Sequence, residues 1–462
     1  MIKIKFLGAT GTVTGSMYLF DVDGRKFLLE SGLFQGPREL EERNYREFNF
    51  DPAEIEYIIL THGHLDHIGI LPRLVREGFT GEIVTTPATR DIASIMLIDA
   101  AKIQEEEAYS ISKRNMRKGL PPVAPLYDSG DAVLTLRHFT KMVNYGETFT
   151  IFDSVKVTFR DAGHILGSSF IEMEFENGKK LVFSGDLGNY NKPIVRDPDS
   201  PVMKDADFVI METTYGNREH RSIEESVAEL REAIIDTFER GGNVIIPSFA
   251  LERAQDILYY LREFYEEGSL PEGVQVFLDS PLAISATHIF RAHPECFDDE
   301  TRELIKRHRD PFSFPGLKFT RSVEESKKIN NIKSGAIIIA GSGMCTGGRI
   351  KHHLKHNLWR EEASVVFVGY QARGTLGRDI VDGKEKVTIY GEEVRVRARV
   401  YTINGFSSHA GRDGLLNWAL KFENPEFFLV HGEHESQEAF ASLLREHKRS
   451  VTIPGYGEEI TI

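Results

Sequence analysis

The sequence predicts an α/β protein of two domains, one of which is inserted into the other. The chain of 462 residues is too long for one ordinary hydrophobic core. Residues 1–212 alternate strand-like segments with Gly-rich turns, whereas residues 213–392 alternate helices with buried strands. The second pattern is typical of a mainly parallel sheet. Strand-like segments return in residues 393–462, which are therefore expected to complete the first domain.

The first domain is expected to contain short strands, a long helical segment and a hairpin. Helical periodicity over residues 89–118 predicts one or two helices. Asn177-Gly178 is a strong hairpin signal. Strands are predicted over residues 3–8, 16–21, 26–29, 57–60, 82–85, 155–161, 169–175 and 180–184.

The remaining elements follow in chain order. In the inserted domain, helices are predicted over residues 222–240, 251–265 and 351–358 and after 279–281, and strands over 243–247, 274–278, 335–340 and 364–369. In the last part, strands are predicted over 394–402 and 427–430, with a helix over 411–422 between them. Gly241-Gly242 marks the end of the first of these helices.

Composition and charge exclude several classes of protein. Hydrophobic residues make up 41% of the chain and charged residues 27%, as in soluble globular proteins. The N-terminus lacks the apolar core of a signal peptide and no apolar segment is long enough to span a membrane, so we expect a cytoplasmic protein. Two cysteines, Cys296 and Cys345, cannot build a disulfide framework or a Cys-rich zinc module. The net charge of −14 gives nucleic-acid binding no general support, so such binding needs a local groove.

One short segment carries four potential metal ligands. His62, His64, Asp66 and His67 follow the strand predicted over residues 57–60. A strand would send alternate side chains to opposite faces, so this spacing requires a loop. The first two histidines can then reach one metal while Asp66 and His67 turn toward a second, and zinc is the usual ion for such ligands. A loop that is His-rich by chance is the alternative, but His-x-His-x-Asp-His is a specific pattern.

Three further ligands are expected at the ends of distant strands. His164, Asp186 and His431 each follow a predicted strand and lie beside a glycine. Any one of them alone would more often be a capping carboxylate or a hydrogen-bonded loop histidine. Because the arrangement recurs, and because one loop cannot complete two metal sites, we interpret them as ligands. A carboxylate at position 186 can bridge two metals.

Together these motifs resemble the metallo-β-lactamase superfamily in its β-CASP ribonuclease branch, over essentially the whole chain. Beyond the seven ligand positions, the resemblance rests on residues 211–216 with Glu212, 405–409 with His409, 430–433 with His431, and on segments 248–250, 253–255, 279–281, 341–349 and 369–371. The inserted-domain segments are similar to those of bacterial and archaeal relatives of the eukaryotic nuclease for mRNA 3′-end cleavage and polyadenylation.

The resemblance implies an αββα metallo-β-lactamase sandwich with an inserted β-CASP domain and a site for two Zn2+ ions. One ion would be bound by His62, His64 and His164, the other by Asp66, His67 and His431, and Asp186 would bridge them. Branch members that act on RNA carry a histidine at position 431, which implies single-stranded RNA as the partner. From the resemblance we also expect that the protein can form a homodimer.

One departure from the family pattern lies behind the metal loop. The family usually carries Asp after its third strand, whereas this chain has Glu30. That acid normally orients the metal loop and does not bind the metal. Glu30 is one methylene longer and is expected to perform the same task from a shifted backbone.

The resemblance also leads to a mechanism of phosphodiester hydrolysis. A hydroxide activated by two zinc ions about 3.5–4 Å apart would attack the phosphorus. We assign His409 as the proton donor to the leaving 3′-oxygen, with Glu212 orienting it. Asp66 can also accept the proton of the nucleophilic water. For His409 the alternative is a loop histidine bonded to backbone.

The inserted domain is expected to bind the phosphate chain. The loop 341–349 follows a buried strand and precedes a helix, so its N–H groups can face an anion, although its glycines alternatively only tighten a turn. Arginines would contact phosphates and Tyr370 would stack on a base. The candidate substrate-binding residues are Ser248, Arg253, Ser342, Gly343, Thr346, Gly347, Gly348, Arg349, Tyr370, Arg373 and Ser407.

The leading hypothesis is a zinc-dependent ribonuclease of RNA processing or decay, an endonuclease with or without exonuclease activity. One alternative is a hydrolase of small esters or thioesters, which would not need an inserted domain with phosphate loops. Another is a non-catalytic scaffold of RNA processing. Such a scaffold would lack metal ligands, whereas all seven positions are filled here.

Overall fold

The computed structural model describes every residue of the chain, 1–462. Its strands are β1 (Ile2–Phe6), β2 (Tyr18–Val22), β3 (Arg25–Leu29), β4 (Ile55–Ile59), β5 (Glu82–Thr85), β6 (Lys141–Met142), β7 (Thr148–Ile151), β8 (Val155–Asp161), β9 (Ser169–Phe175), β10 (Lys180–Phe183), β11 (Phe208–Glu212), β12 (Val244–Pro247), β13 (Gln275–Leu278), β14 (Leu317–Phe319), β15 (Ala336–Ala340), β16 (Ser364–Phe367), β17 (Lys386–Ile389), β18 (Glu392–Arg395), β19 (Arg399–Thr402), β20 (Glu426–Val430), β21 (Ser450–Thr452) and β22 (Glu459–Thr461).

The helices lie between these strands. They are α1 (Arg38–Glu41), α2 (Leu65–Ile68), α3 (Leu71–Arg76), α4 (Pro87–Met116), α5 (Ser129–Thr135), α6 (Ile223–Glu239), α7 (Arg253–Glu266), α8 (Pro281–Ala292), α9 (Asp299–Lys306), α10 (Val323–Ile329), α11 (Ile350–Asn357), α12 (Leu376–Val381), α13 (Arg412–Ala419) and α14 (His434–Glu446). None of them combines the length and apolar character needed to cross a lipid bilayer.

Contacts divide the chain into two compact units. The first comprises Met1–Tyr190, Asp197–Glu219 and His409–Ile462, and the second comprises Asn191–Arg196 and His220–Ser408. The second unit therefore takes in residues 393–408, which lie beyond the boundary predicted at residue 392. It also includes a short segment of the first part of the chain, where the Asp298 N–H donates to the carbonyl of Ile194 (2.8 Å).

Two seven-stranded sheets form the centre of the first unit. Their strand orders are β22-β1-β2-β3-β4-β5-β6 and β21-β20-β11-β10-β9-β8-β7. Buried apolar side chains of both sheets form one cluster. Within it the rings of Phe20 and Phe27 stack at 4.7 Å, and Tyr18 meets Phe183 of the other sheet at 5.2 Å. The main core of this unit therefore lies between the two sheets.

Helices cover the outer face of each sheet. Leu28 of β3 shares a buried cluster with Leu97 of α4. On the other sheet, Val209 of β11 packs in a cluster with Trp418 of α13 and Phe440 of α14. The layers follow the order helix, sheet, sheet, helix, so the predicted αββα sandwich is confirmed.

The second unit contains a six-stranded sheet in the order β14-β13-β15-β12-β16-β19. Every neighbouring pair is parallel, which confirms the predicted mainly parallel sheet. All five residues of Ala336–Ala340 are buried, as expected for a central strand of such a sheet. An antiparallel hairpin, β17–β18, lies outside it.

Two predicted elements differ from the structure in detail. The segment predicted over residues 89–118 is the single helix α4, which ends two residues earlier at Met116. Its first turn is capped where Thr86 Oγ1 accepts the N–H of Thr89 (3.2 Å). The strand predicted over 394–402 is two strands, because β18 pairs with β17 whereas β19 pairs with β16. Between them the N–H groups of Arg397 and Ala398 both donate to the carbonyl of Leu358, which removes them from strand pairing.

Candidate active site

The metal loop, His62 to His67, follows β4. Its first two ligands precede the short helix α2, whereas Asp66 and His67 lie in the first turn of that helix, where the sequence predicts a loop. The buried carboxylate of Glu30 contacts both ends of this loop. Its Oε1 accepts the N–H of Thr61 (3.0 Å) and its Oε2 lies 3.6 Å from His67 Nδ1. Glu30 has φ of 62°, a left-handed conformation uncommon for a residue with a side chain. Burial raises the pKa of this carboxyl.

The first group of ligand atoms contains three imidazoles and one carboxylate. His64 Nδ1 lies 3.1 Å from His62 Nε2 and 3.3 Å from His164 Nε2. Asp186 Oδ2 lies 3.4 Å from His62 Nε2 and 3.5 Å from His164 Nε2. All four ligand atoms lie within 4.8 Å of one another, at a spacing that a single metal ion could fill.

The second group contains Asp66, His67 and His431, again with ligand atoms within 4.8 Å of one another. His431 Nε2 lies 3.3 Å from His67 Nε2 and 3.6 Å from Asp66 Oδ2. Asp186 Oδ2 is 3.3 Å from His67 Nε2, so the same oxygen neighbours both groups. The sequence-predicted ligands therefore come together in the two predicted sets, with Asp186 between them.

The protonation of these groups suits a cation. Burial lowers the pKa of His62 well below its usual range and that of His64 to about 4, so both rings are neutral near pH 7. Their ring nitrogens nevertheless converge at about hydrogen-bond distance inside the protein. Burial alone would raise the pKa of Asp186, but the surrounding histidines hold it well below its usual range. His67 differs, because its burial is outweighed by Asp186 and Glu30, which raise its pKa well above the usual value. Imidazoles around an ionised carboxylate are a donor set that fits zinc, and a bound metal would take the place of the proton on His67.

A carboxylate–imidazole pair lies beside the ligand groups. Glu212 Oε1 lies 3.2 Å from His409 Nδ1 and accepts the N–H of Leu187 (2.7 Å), while Oε2 accepts the N–H of Thr214 (3.1 Å). The imidazole of His409 lies 4.4 Å from that of His164, between ring centroids. Burial opposes the charged form of His409, but Glu212 favours it, and the pKa of His409 is raised.

Thr214 is a site residue that the sequence did not single out. Its hydroxyl lies 3.0 Å from Nδ1 of His431, and this bond orients the ring so that Nε2 faces the ligand group. Its position within the motif 211–216 is the sequence signal that could have identified it as a site residue.

Comparison with known proteins agrees with this geometry. The metallo-beta-lactamase superfamily matches residues 10–236, the Beta-Casp domain matches 254–380, and the Zn-dependent metallo-hydrolase RNA specificity domain matches 393–454. Ribonuclease TTHA0252 of Thermus thermophilus is 40% identical over 461 residues, 100% of both chains. The chain belongs to the β-CASP family of the metallo-β-lactamase superfamily.

Other β-CASP relatives are more distant. Transcription termination factor FttA of Methanocaldococcus jannaschii is 30% identical over 98% of this chain and 70% of its own length. FttA of Thermococcus kodakarensis is 32% identical over the same shares of the two chains. A crystal structure of a protein of unknown function from Enterococcus faecalis V583 covers 100% of both chains with a TM-score of 0.57 at 11% identity, a likeness of fold alone.

The Gly-rich loop of the β-CASP unit joins β15 to α11. The hydroxyl of Ser342 accepts the N–H of Gly347 (3.2 Å) and lies 3.2 Å from the hydroxyl of Thr346. Gly348 has φ of 73°, and a Cβ there would lie 2.4 Å from the carbonyl oxygen of Gly341. The loop is thus closed on itself, and a side chain at Gly348 would open it.

Two arginines that are predicted to contact phosphates form hydrogen bonds within the second unit, which carries the Beta-Casp match. The guanidinium of Arg349 donates to Asp279 Oδ1 (2.6 Å) and to the carbonyls of Thr320 and Arg321 (3.0 and 2.7 Å). Arg253 is buried and donates to Asp256 (3.2 Å). Both guanidiniums are thus bonded to groups of the protein itself, and their contact with a phosphate stays a prediction. The partner of Arg349 lies 70 positions away in the sequence, so local sequence does not reveal it.

The other candidates of this unit differ in exposure. Tyr370 is 56% exposed and Arg373 is also exposed, whereas Ser248 is buried and donates to the carbonyl of Phe249 (2.9 Å). Ser407 is half-buried. Phe249, which the sequence did not single out, is 43% exposed, and its ring fills the space that a Cβ on Gly343 would need.

Glu30→Gln tests the support of the metal loop. Glutamine keeps an acceptor for the Thr61 N–H but removes the charge beside His67, so metal affinity should fall about 10- to 100-fold in a folded protein. Chelator competition measures this. Glu54→Gln, an exposed glutamate, serves as the control. Unchanged metal affinity in Glu30→Gln would rule out this role.

Asp279→Asn tests the support of the Gly-rich loop. Asp279 is fully buried and accepts from Arg349, from Ser326 (2.6 Å) and from His353 (2.7 Å). Loss of its charge should lower the free energy of unfolding by about 3 kcal/mol in urea titrations near neutral pH. The exposed Asp299→Asn on α9 is the control.

The effect of Asp279→Asn should also depend on pH. Burial opposes ionisation of Asp279, but hydrogen bonds from His353, Ser326 and Arg349 lower its pKa below the usual value. A lowered folded-state pKa gives stability above the unfolded pKa that is lost as the pH falls through the folded one. The difference from the unsubstituted protein should therefore shrink below about pH 4. A variant as stable as the unsubstituted protein at pH 7 would contradict this account.

Proposed function

We propose that this β-CASP protein is a zinc-dependent endoribonuclease that hydrolyses phosphodiester bonds of single-stranded RNA. One observation carries the proposal: Asp186 Oδ2 lies 3.3–3.5 Å from histidine nitrogens of both ligand groups, with the Glu212–His409 pair alongside. A relative of the same length and 40% identity is named a ribonuclease. The match to an RNA specificity domain in residues 393–454 supports RNA as the substrate.

Two zinc ions would be held by the seven ligand residues. His62, His64 and His164 would hold one, Asp66, His67 and His431 the other, and Asp186 would serve both. When bound, such a metal pair supplies Lewis-acid polarisation of a phosphoryl oxygen and lowers the pKa of water. The protein would keep these side chains buried, at fixed positions and in the protonation states that metal binding requires.

Glu212 is the positioning residue of the acid–base pair. Two backbone N–H groups, from Leu187 and Thr214, fix its carboxylate, and its Oε1 faces Nδ1 of His409. That contact selects the tautomer and orientation of the imidazole. It leaves Nε2 of His409 to give a proton to the leaving 3′-oxygen. Asp66, the more exposed carboxylate ligand, can accept a proton from the attacking water.

His431 supports RNA, and not DNA, as the substrate. Ribonucleolytic members of the family carry histidine at this position. Here the ring is held by Thr214 and faces Asp66. Because no ligand position is empty and all of them converge, the geometry favours an active enzyme over a non-catalytic scaffold.

His409→Ala tests the proposed chemistry. Removal of the proton donor should reduce kcat for a labelled RNA about 10²- to 10⁴-fold, while the metal content stays unchanged. Glu212→Gln should give a smaller loss, because it disturbs only the orientation of His409. His434→Ala, at an exposed histidine, is the matched control. Loss of metal from His409→Ala would make it a ligand, and single-stranded DNA cleaved as fast as RNA would contradict the substrate assignment.

A further inference from the structure

A basic face on helix α11 stands out in this acidic chain. The helix contains two lysines, three histidines and no acidic residue, whereas the whole protein has a net charge of −14. A local excess of cations against such a background is the electrostatic footprint expected of a site for an anionic ligand.

The rotation of α11 is fixed by the residues that face inward. His353 is fully buried between Asp279 and Asn330, with ring nitrogens 2.7 and 2.9 Å from their oxygens. Leu354 is also fully buried. His352 and His356 are consequently exposed, since the two residues lie one turn apart on the opposite side of the helix.

Lysines of the preceding segment add to this face. Lys327 and Lys333 are exposed, and Asn330, which lies between them in the sequence, has its Oδ1 2.9 Å from Nδ1 of His353 on α11. No carboxylate lies within 4.0 Å of the amines of Lys327, Lys333 or Lys351. Their charges therefore stay available.

An exposed aromatic ring lies against the same helix. Tyr390, between β17 and β18, is 51% exposed. Its ring centroid lies 4.7 Å from that of His352 at an interplanar angle of 30°, and Lys351 Nζ lies 4.9 Å from it. Lys355, by contrast, is paired with Glu392 at 2.6 Å. The cations and the ring form one surface, the α11 face: Lys327, Lys333, Lys351, His352 and Tyr390.

We propose that the α11 face is a second RNA-binding site, separate from the metal centre, that holds single-stranded RNA outside the cleaved segment. This inference rests on the proposed ribonuclease function. Lysines neutralise backbone phosphates, and an exposed aromatic ring stacks on a base of any sequence. An acidic protein would use the lysines but would not need the ring, so the combination favours RNA. The site would increase the affinity for long substrates and leave the chemical step unchanged.

The test compares two triple variants with the same change in charge. Lys327→Gln/Lys333→Gln/Lys351→Gln removes the unpaired lysines of the α11 face. Lys306→Gln/Lys384→Gln/Lys386→Gln removes three lysines of the same unit that are paired with acids. KM and kcat are measured on single-stranded RNAs of about 6 and about 40 nucleotides. The shorter RNA is too short to occupy a second site beside the cleaved segment, whereas the longer RNA can do so.

We expect the first variant to raise KM for the long RNA about tenfold at low salt, with kcat and all constants for the short RNA unchanged. The magnitude of the slope of log affinity against log salt, from anisotropy in a His409→Ala background, should fall by about 2, because each phosphate contact to a single strand contributes about 0.7. Tyr390→Ala should lower the affinity for the long RNA about fivefold or more without changing that slope. Tyr390→Phe, which keeps the ring, should bind the long RNA as tightly as the unsubstituted protein.

Three outcomes would overturn the proposal. The first is a triple variant that behaves like its control. The second is an equal rise in KM for both RNAs, which would place the lysines in the part of the site that binds the cleaved segment. The third is binding of an acidic polypeptide such as polyglutamate as tightly as RNA, with no effect of Tyr390→Ala. If the unsubstituted protein binds long RNA through these lysines but cleaves neither RNA, the ribonuclease proposal fails and the binding site stands.

Discussion

The carboxylate of Asp186 is the feature on which the rest of the site depends. One of its oxygens lies within 3.5 Å of nitrogens from His62, His67 and His164, which belong to both ligand groups. These rings are buried. Burial lowers the pKa of His62, whereas for His67 burial is outweighed by Asp186 and Glu30, which raise its pKa well above the usual value. A buried carboxylate needs positive partners, and metal ions held by the surrounding nitrogens can supply them. The fold supplies the geometry and leaves the balance of charge to metals.

The sandwich explains how such distant residues meet. The metal loop follows β4 of one sheet, whereas Asp186 and Glu212 lie at the ends of β10 and β11 in the other. His431 follows β20, which pairs in parallel with β11 and brings its ring next to Thr214. Because the core between the sheets is made of closely packed aliphatic and aromatic side chains, the loops at this edge are held by rigid elements. Preorganisation of this kind is what metal-assisted hydrolysis requires.

Much of this arrangement could be predicted from the sequence, because local patterns carry it. The strands over residues 155–161 and 169–175 occur with the predicted bounds, since their periodicity and turns are local properties. The residues that form the two candidate metal groups could be predicted because a glycine and a potential ligand recur at strand ends. Pairing partners could not be recognised in this way. Arg349 binds Asp279, seventy positions earlier, and the chain over residues 394–402 divides between two sheets.

Partners within the fold also determine how much of the hydrogen-bonding capacity of an arginine is left for a ligand. A guanidinium placed near a buried carboxylate and two free carbonyls gains more from those fixed acceptors than from solvent. Lysines that have no such partner, such as Lys351 of α11, remain available to a ligand. Exposure and pairing, which only the structure provides, separate the two cases.

The most direct test of the central claim is the metal content of the purified protein, measured by mass spectrometry beside the variant Asp186→Ala. The account predicts about two zinc ions per chain in the unsubstituted protein and weaker binding of both in the variant, because one carboxylate serves both groups. A folded protein that contains no bound metal, or a variant that keeps both ions with unchanged affinity, would contradict it.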